Sequence, residues 1–177
     1  MIYLPILLKE NIRKKKNKFG RSVRSARGGR EDGAAGCVLT EKTQYLEEKK
    51  IGKVNSIHSS FGFNDDNKNP NSRLFDINLA GGAILDVGLY PVSFSRLIAG
   101  VATGRAFLNP YRVEGTATFG KTGVDEISFA TLFFDNEIYA EASTAITKNM
   151  ANTATVKGTE GSITISNPWQ PGKEGGP

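Results

Sequence analysis

The sequence predicts an α+β fold: an open, mostly antiparallel sheet with one main helix packed on one face. Three observations carry this expectation. The second half of the chain alternates apolar and polar residues with period two in several consecutive runs. Short turns join those runs, and strands joined that way pair antiparallel, because a parallel partner needs a crossover of roughly a dozen residues or more. Between the first strand-like run and the later ones lies one long stretch, residues 81–100, with an apolar face at helical spacing.

The elements follow in order. TEKTQYLEEKK (Thr40 to Lys50) is rich in helix formers, with Leu39, Tyr45 and Leu46 as a short apolar stripe and Ile51-Gly52 as its stop. In KVNSIHSSFGF, Ile57, Phe61 and Phe63 share one parity while Ser56, His58 and Ser60 share the other, the pattern of a strand. Asn64 to Asn71 is a polar, turn-rich loop. GGAILDVGLYPVSFSRLIAG is the main helix, with Leu85, Leu89, Val92, Leu97 and Ile98 facing the core and Gly100 as its stop. Pro91 disfavours α geometry at Tyr90, so a break is expected there, with a fresh start at Pro91. YRVEGTATF alternates from Tyr111 to Phe119; ISFATLFF and EIYAEASTAI flank a hairpin turn at Asp135-Asn136; TATVKG and SITIS flank another at Thr159-Glu160.

Composition bounds the chemistry. The 177 residues are 38% hydrophobic and 23% charged, a globular balance that argues against wholesale disorder. The apolar start from Ile2 to Leu8 is far short of the roughly 20 residues that span a bilayer, so no membrane partner is expected. A single cysteine, Cys37, excludes an internal disulfide framework and a CxxC zinc site, and a single histidine, His58, excludes HExxH; no metal site is expected. The net charge of +5 is uneven. Residues 1–36 hold 10 Lys/Arg against 3 Asp/Glu, whereas residues 37–177 hold 13 against 15. The body therefore has no electrostatic footprint for nucleic acid. The basic segment, residues 1–37, repeats Arg, Ser and Gly without apolar period and is expected to be disordered or foreign to the fold. A transit peptide and a nucleic-acid arm are the alternatives; the latter lacks interleaved aromatic residues for stacking. Its positive charge follows the apolar start rather than preceding it, which argues against a secretory signal and for a cytoplasmic protein.

Two strings invite a chemical reading. Gly115 to Thr122, GTATFGKT, satisfies the GxxxxGK[ST] phosphate loop, and Leu132 to Asp135, LFFD, mimics its magnesium-holding strand. That loop works only between a strand and a helix N-terminus. Here strand alternation runs through it, Phe119 fills a loop position and no helix follows, so a hairpin turn at Lys121 to Gly123 is expected. The other string is Asp86 with Tyr90, four residues apart and on one face if the turn between them is helical. A tyrosine hydroxyl in a cleft can relay a proton to a substrate oxygen, given a cation to lower its pKa from about 10. The structural alternative is a helix-start carboxylate beside a half-buried tyrosine. Glycines 81, 82 and 88 would let backbone and ligand approach closely. His58 fits a hydrogen-bonded or solvated strand side chain, and Trp169 a cap on the sheet's edge or the lining of a pocket.

RLFDINLAGGAILDVGLYPVSFSRLIAG, TGVDE and NTATVKGTEGSITISNPWQPG, in that order, resemble the C-terminal domain of the Gfo/Idh/MocA oxidoreductases, in particular the branch of dimeric dihydrodiol dehydrogenases and aldose dehydrogenases. The resemblance covers roughly residues 38–172 and is most specific in GGAILDVGLYP. It implies that a Rossmann domain supplies NAD(P), that Tyr90 is the catalytic acid/base and that Asp86 is a catalytic and substrate-binding carboxylate. The implied substrate is a sugar, polyol or dihydrodiol. Hydride leaves a carbinol carbon only as its hydroxyl proton is removed, so a base must touch that oxygen.

Departures from the family pattern shape the expectation. No two of the 20 glycines stand two residues apart, so the dinucleotide fingerprint is missing, and there is no EKP segment to bring the family's lysine to Tyr90. Residues 38–177 are thus expected to be a substrate and oligomerisation domain, cut short at its C-terminal end, with its Rossmann domain absent and no cofactor bound by this chain alone. The resemblance implies association into a homo-oligomer through the open sheet face. The alternative function is a non-catalytic module that keeps this association, with Phe129, Phe133, Tyr139 and Ile146 as its apolar patch.

Overall fold

The computed structural model describes residues 50–170. The basic segment over residues 1–37, with Cys37, the helix expected from Thr40 and the chain beyond Gln170 lie outside the described residues. Six strands form one sheet: β1 (Val54–Gly62), β2 (Arg112–Phe119), β3 (Asp125–Phe133), β4 (Tyr139–Ala145), β5 (Thr153–Gly158) and β6 (Ser162–Ser166). Their order is β2-β3-β4-β1-β5-β6. The hairpins β2–β3, β3–β4 and β5–β6 are antiparallel, as expected from their short turns.

The strands do not form one continuous meander. β1 lies between β4 and β5, parallel to β4 and antiparallel to β5. The parallel pairing obeys the crossover rule, because the long loop, the helix and the β2–β3 hairpin all intervene between β1 and β4. Turn details also differ by small steps. The β3–β4 turn takes its left-handed residues at Asn136 and Glu137, one position beyond the expected pair, and closes with Phe134 N–H donating to the Ile138 carbonyl at 2.8 Å. The phosphate-loop string is strand and turn. Gly115 to Phe119 belong to β2, and the chain reverses at Gly120 to Gly123 before β3.

Alternation assigns the two sheet faces. On β4, Ala140, Ala142 and Thr144 are buried beneath the helix while Tyr139 and Glu141 face out. On β1, Ile57, Ser59 and Phe61 are buried, and His58 and Ser60 are partly exposed on the other side. The edge strand β2 is only thinly covered: Val113, packed against the larger apolar cluster, and Ala117 are half-buried, whereas Tyr111 beside it and Phe119 at its end are exposed.

The helix starts differently from the sequence expectation. A π-turn over Ile84–Gly88 runs straight into α1 (Leu89–Ala102), with no break at Tyr90. Pro91 falls in the first turn of α1, directly after the π-turn. The extra residue of the π-turn also rotates the apolar stripe. Val87, Val92, Phe94, Ile98 and Ala99 are buried, whereas Leu85, Leu89 and Leu97 of the expected face are only half-buried. The stretch from Ile77 to Ala102 is long and apolar enough to cross a membrane, but half of its most apolar window is buried within the chain's own fold.

Two apolar clusters hold the helix. The larger joins Ile57, Val92, Phe94, Ile98, Leu132, Phe134, Val156 and others across the sheet. The smaller, Phe61, Phe75, Ala83, Val87, Val124 and Ile146, sits under the π-turn. Ile146 is fully buried there, so it drops out of the outward patch expected of it. Polar groups fix the start: Asp125 Oδ2 accepts from Ile84 N–H at 2.8 Å and from Ser128 Oγ–H at 2.7 Å, and Thr144 Oγ1–H donates to the Ala83 carbonyl at 2.9 Å.

The glycines serve this packing rather than a ligand's approach. A Cβ at Gly81 would stand 2.6 Å from the Leu74 carbonyl oxygen, and one at Gly82 (φ +106°) 2.3 Å from Asp125 Oδ1. At Gly88 it would meet the Thr144 methyl at 3.1 Å. Gly82→Ala is therefore expected to cost roughly 3 kcal/mol or more, from strain and overlap together. Gly104→Ala, with φ +72° and open space around it, should cost about 1–2 kcal/mol. Urea unfolding of both variants checks this, and equal losses would show that the Asp125 carboxylate yields freely.

Burial raises the Asp125 carboxyl pKa above its ordinary value, with the Ser128 and Ile84 hydrogen bonds pulling it partly back. A raised folded-state pKa means that the native protein holds this proton more tightly than the unfolded chain. The contribution of Asp125 to stability thus falls as pH rises from about 4 through the folded-state value. Urea midpoints of wild type relative to Asp125→Asn should decline over that window and then level off; a rise would show that the cap bonds outweigh burial.

Candidate functional site

Tyr90 stands in the first turn of α1 with 40% of its surface exposed, and its hydroxyl has no hydrogen-bond partner among the described residues. Its ring meets Phe61 of β1 edge-on, with centroids 5.4 Å apart, and lies 6.3 Å from Trp169. The chain after β6 brings Trp169 back over the sheet. There its indole stacks on Phe61, with centroids 5.9 Å apart and planes 19° apart, and meets Phe94 edge-on. The indole N–H donates to the Ser60 carbonyl at 2.7 Å, so its polar edge is satisfied while the ring stays half-buried. Trp169 thus packs at the tyrosine rather than capping the sheet's edge. Sequence reading weighed this residue without joining it to Tyr90; the available signal was an aromatic set in the turn-forming string NPWQPG.

Asp86 lies inside the π-turn. Its side chain is mostly covered, and its carboxylate pairs with Arg73, whose own side chain is 61% exposed. Arg73 reaches it from the loop that ends in Gly81 and Gly82, a loop tied to itself by Asp76, whose carboxylate caps the short 3-10 turn Ile77–Leu79. No hydrogen bond joins Asp86 to Tyr90. The structure brings the carboxylate to Arg73 and the phenol to an aromatic wall, one on each side of the change in winding. Arg73, Phe61 and Phe94 were not singled out by sequence reading, since all three are far from the motif in sequence or masked within an ordinary apolar stripe.

The remaining candidates stand elsewhere. His58 is on the outer sheet face, where Nδ1 lies 2.8 Å from Glu141 Oε2 and Nε2 3.2 Å from Ser56 Oγ, with its ring edge-on to Tyr139. No group of three or more His, Cys, Asp or Glu side chains among the described residues could hold a metal ion. Nor do these residues by themselves fit a dinucleotide. The dinucleotide-binding fold seats a pyrophosphate at a glycine-rich strand-to-helix turn, and the one phosphate-loop string among the described residues is β2 and its hairpin. What the arrangement offers is a phenol, a carboxylate held by a guanidinium, and an apolar wall.

Comparison with known proteins places the fold in a family. The GFO/IDH/MocA C-terminal domain model matches residues 41–164. Trans-1,2-dihydrobenzene-1,2-diol dehydrogenase of Mus musculus is 31% identical over 128 residues, covering 72% of this chain and 36% of that protein. The Xenopus tropicalis enzyme of the same name is 34% identical over 138 residues, 76% of this chain and 38% of the enzyme. Among solved structures, an aldose-aldose oxidoreductase from Caulobacter crescentus complexed with glycerol superimposes with a TM-score of 0.61 at 22% identity, over 74% of this chain and 38% of its own. A 3-ketoreductase from Actinomadura kijaniata bound to NADP gives 0.62 at 19% identity, over 75% and 38%. The chain thus spans little more than a third of the length of these relatives. The chain belongs to the GFO/IDH/MocA C-terminal domain family.

Proposed function

We propose that this chain is the substrate and oligomerisation domain of an NAD(P)-dependent oxidoreductase acting on a sugar, polyol or dihydrodiol, and that Tyr90 and Asp86 are its site residues. One observation carries the reading: the motif tyrosine on the helix's first turn is 40% exposed beside an aromatic wall, and its hydroxyl has no hydrogen-bond partner among the described residues. A phenol with a purely packing role would lose nothing by being a phenylalanine. The relatives' names, a diol dehydrogenase and an aldose oxidoreductase, point to vicinal hydroxyls as the substrate chemistry.

In this reading the Tyr90 oxygen exchanges a proton with the reacting hydroxyl or carbonyl oxygen of the substrate. Arg73 occupies one oxygen of Asp86, leaving the other to accept from a neighbouring substrate hydroxyl. Trp169, backed by the buried Phe61, forms a dry wall against which the carbon face of a sugar or a diol ring rests. The intact family enzyme takes up or gives a hydride through its nicotinamide; this chain's residues bind, orient and move the proton. The cation that a phenol requires to work near neutral pH is assigned by the family resemblance to a lysine of the dinucleotide-binding half.

Calorimetric titration of the chain with NADPH should therefore show no micromolar binding. Joined to the dinucleotide-binding half of a dihydrodiol dehydrogenase, the chain should turn over a diol or sugar, with Tyr90→Phe lowering kcat by roughly 10²–10⁴ and leaving KM little changed. Full activity of the phenylalanine variant would end the reading.

A second reading, a non-catalytic module that associates through the open sheet, is favoured by the outer face itself. Phe129 is 50% and Tyr139 38% exposed there, beside Phe133, whose ring lies under the Arg112 guanidinium at 4.1 Å. Both readings use that face for pairing with a second copy. Light scattering should show a dimer that Phe129→Lys dissociates; a strict monomer at high concentration would count against both the oligomerisation role and the module.

A further inference from the structure

A π-turn encloses one residue more than an α-turn and is rarely stable unless neighbours hold it. The one at Ile84–Gly88 separates Asp86 from Tyr90. Downstream, α1 is anchored by Val92, Phe94 and Ile98 in the larger cluster. If the π-turn relaxed to α, the tighter winding would rotate everything before it by about 100° relative to α1. Tyr90 would stay, while Asp86 and the loop that carries Arg73 would turn out of register with it.

We infer that Asp125 is a positioning residue whose carboxylate holds the first residue of the π-turn and so keeps Asp86 in register with Tyr90. The inference rests on the site reading proposed above for these two residues. Its geometry is specific. Oδ2 takes Ile84 N–H at 2.8 Å, an otherwise orphan donor, and is itself steadied by Ser128 Oγ–H at 2.7 Å. Oδ1 lies where a side chain at Gly82 would be, so only glycine there admits the carboxylate. Thr144 holds the other side of the turn, donating to the Ala83 carbonyl and seating Gly88 with its methyl. Val124, next to Asp125, is buried in the same cluster as Val87 of the turn and Phe61 beneath Tyr90. A carboxylate 41 residues away in sequence thus fixes the turn from the sheet, whereas a local cap at Ala83 is missing. The group is costly to bury, as its raised pKa indicates, and an apolar residue would fill the space without grasping the N–H.

Nitrogen–proton correlation spectra of the 177-residue chain test this without substrate or cofactor. Asp125→Ala should move the amide signals of Ile84 through Gly88 and the Arg73 side-chain N–H, while the Trp169 indole signal and β5–β6 stay in place. Asp125→Asn, which keeps an acceptor for Ile84, should restore the wild-type pattern. Should the alanine variant fail to fold, Ser128→Ala should shift the same π-turn signals by a smaller amount. Shifts confined to Gly82 to Ile84 and Ser128, or spread evenly over the whole sheet, would overturn the positioning role. None of these spectra depends on turnover, so an active Tyr90→Phe enzyme would remove the catalytic reading while leaving the register result to stand or fall by itself.

Discussion

The close approach of β3 to the glycine pair ahead of the helix is the constraint on which this fold turns. At Gly82 the backbone runs against the Asp125 carboxylate with no room for a side chain, and two residues later the same carboxylate takes the Ile84 N–H. That one contact sets where the helix begins, how it winds and which of its residues face the sheet. The cost is a buried carboxyl, offset by two donors. Unfolded chain has no equivalent of it, since Gly82 and Asp125 are brought together only when the β2–β3 hairpin packs beside the helix start.

Sequence periodicity made most of the sheet legible. Runs such as SITIS and TATVKG alternate cleanly because one face is buried, and their tight turn leaves only antiparallel pairing. The position of β1 was not legible from its own residues, because a central strand flanked on both sides shows the same alternation whichever neighbours it takes. The helix was legible in extent but not in winding. Period 3.6 was assumed through Ile84–Gly88, where the chain inserts an extra residue, so Leu85 and Leu89 were given to the core that Val87 and Phe94 fill. The proline then fell in a first turn rather than at a break.

At the site, Asp86 and Tyr90 were visible as a pair because four-residue spacing on a helix is a local signal. What surrounds them is not local. Arg73 comes from a preceding loop, Phe61 from β1 and Trp169 from the chain after β6, and none of these approaches is encoded in spacing. The glycines illustrate the same point from the other side. Read in sequence they suggested room for a ligand; in the fold the space is filled by the Leu74 carbonyl, the Asp125 carboxylate and the Thr144 methyl. A glycine pair signals close approach without saying of what.

The sheet separates two kinds of surface. Its inner face, through Phe61, receives Tyr90 and Trp169; its outer face carries Phe129, Phe133, Tyr139 and the His58–Glu141–Ser56 hydrogen-bonded group. Because alternate residues of one strand serve opposite faces, β1 contributes Phe61 to the aromatic wall and His58, three positions earlier, to the outer face. A strand slip of one residue would exchange the two sets. β1 is protected from such a slip by ladders on both sides, parallel to β4 and antiparallel to β5, and by Ile57, Ser59 and Phe61 packed inward. In the proposed function, proton chemistry and association fall on opposite sides of the central strand, so a change on the outer face would alter pairing without displacing the phenol. That separation is also why the proposed proton chemistry and the proposed association can be tested independently on the same molecule.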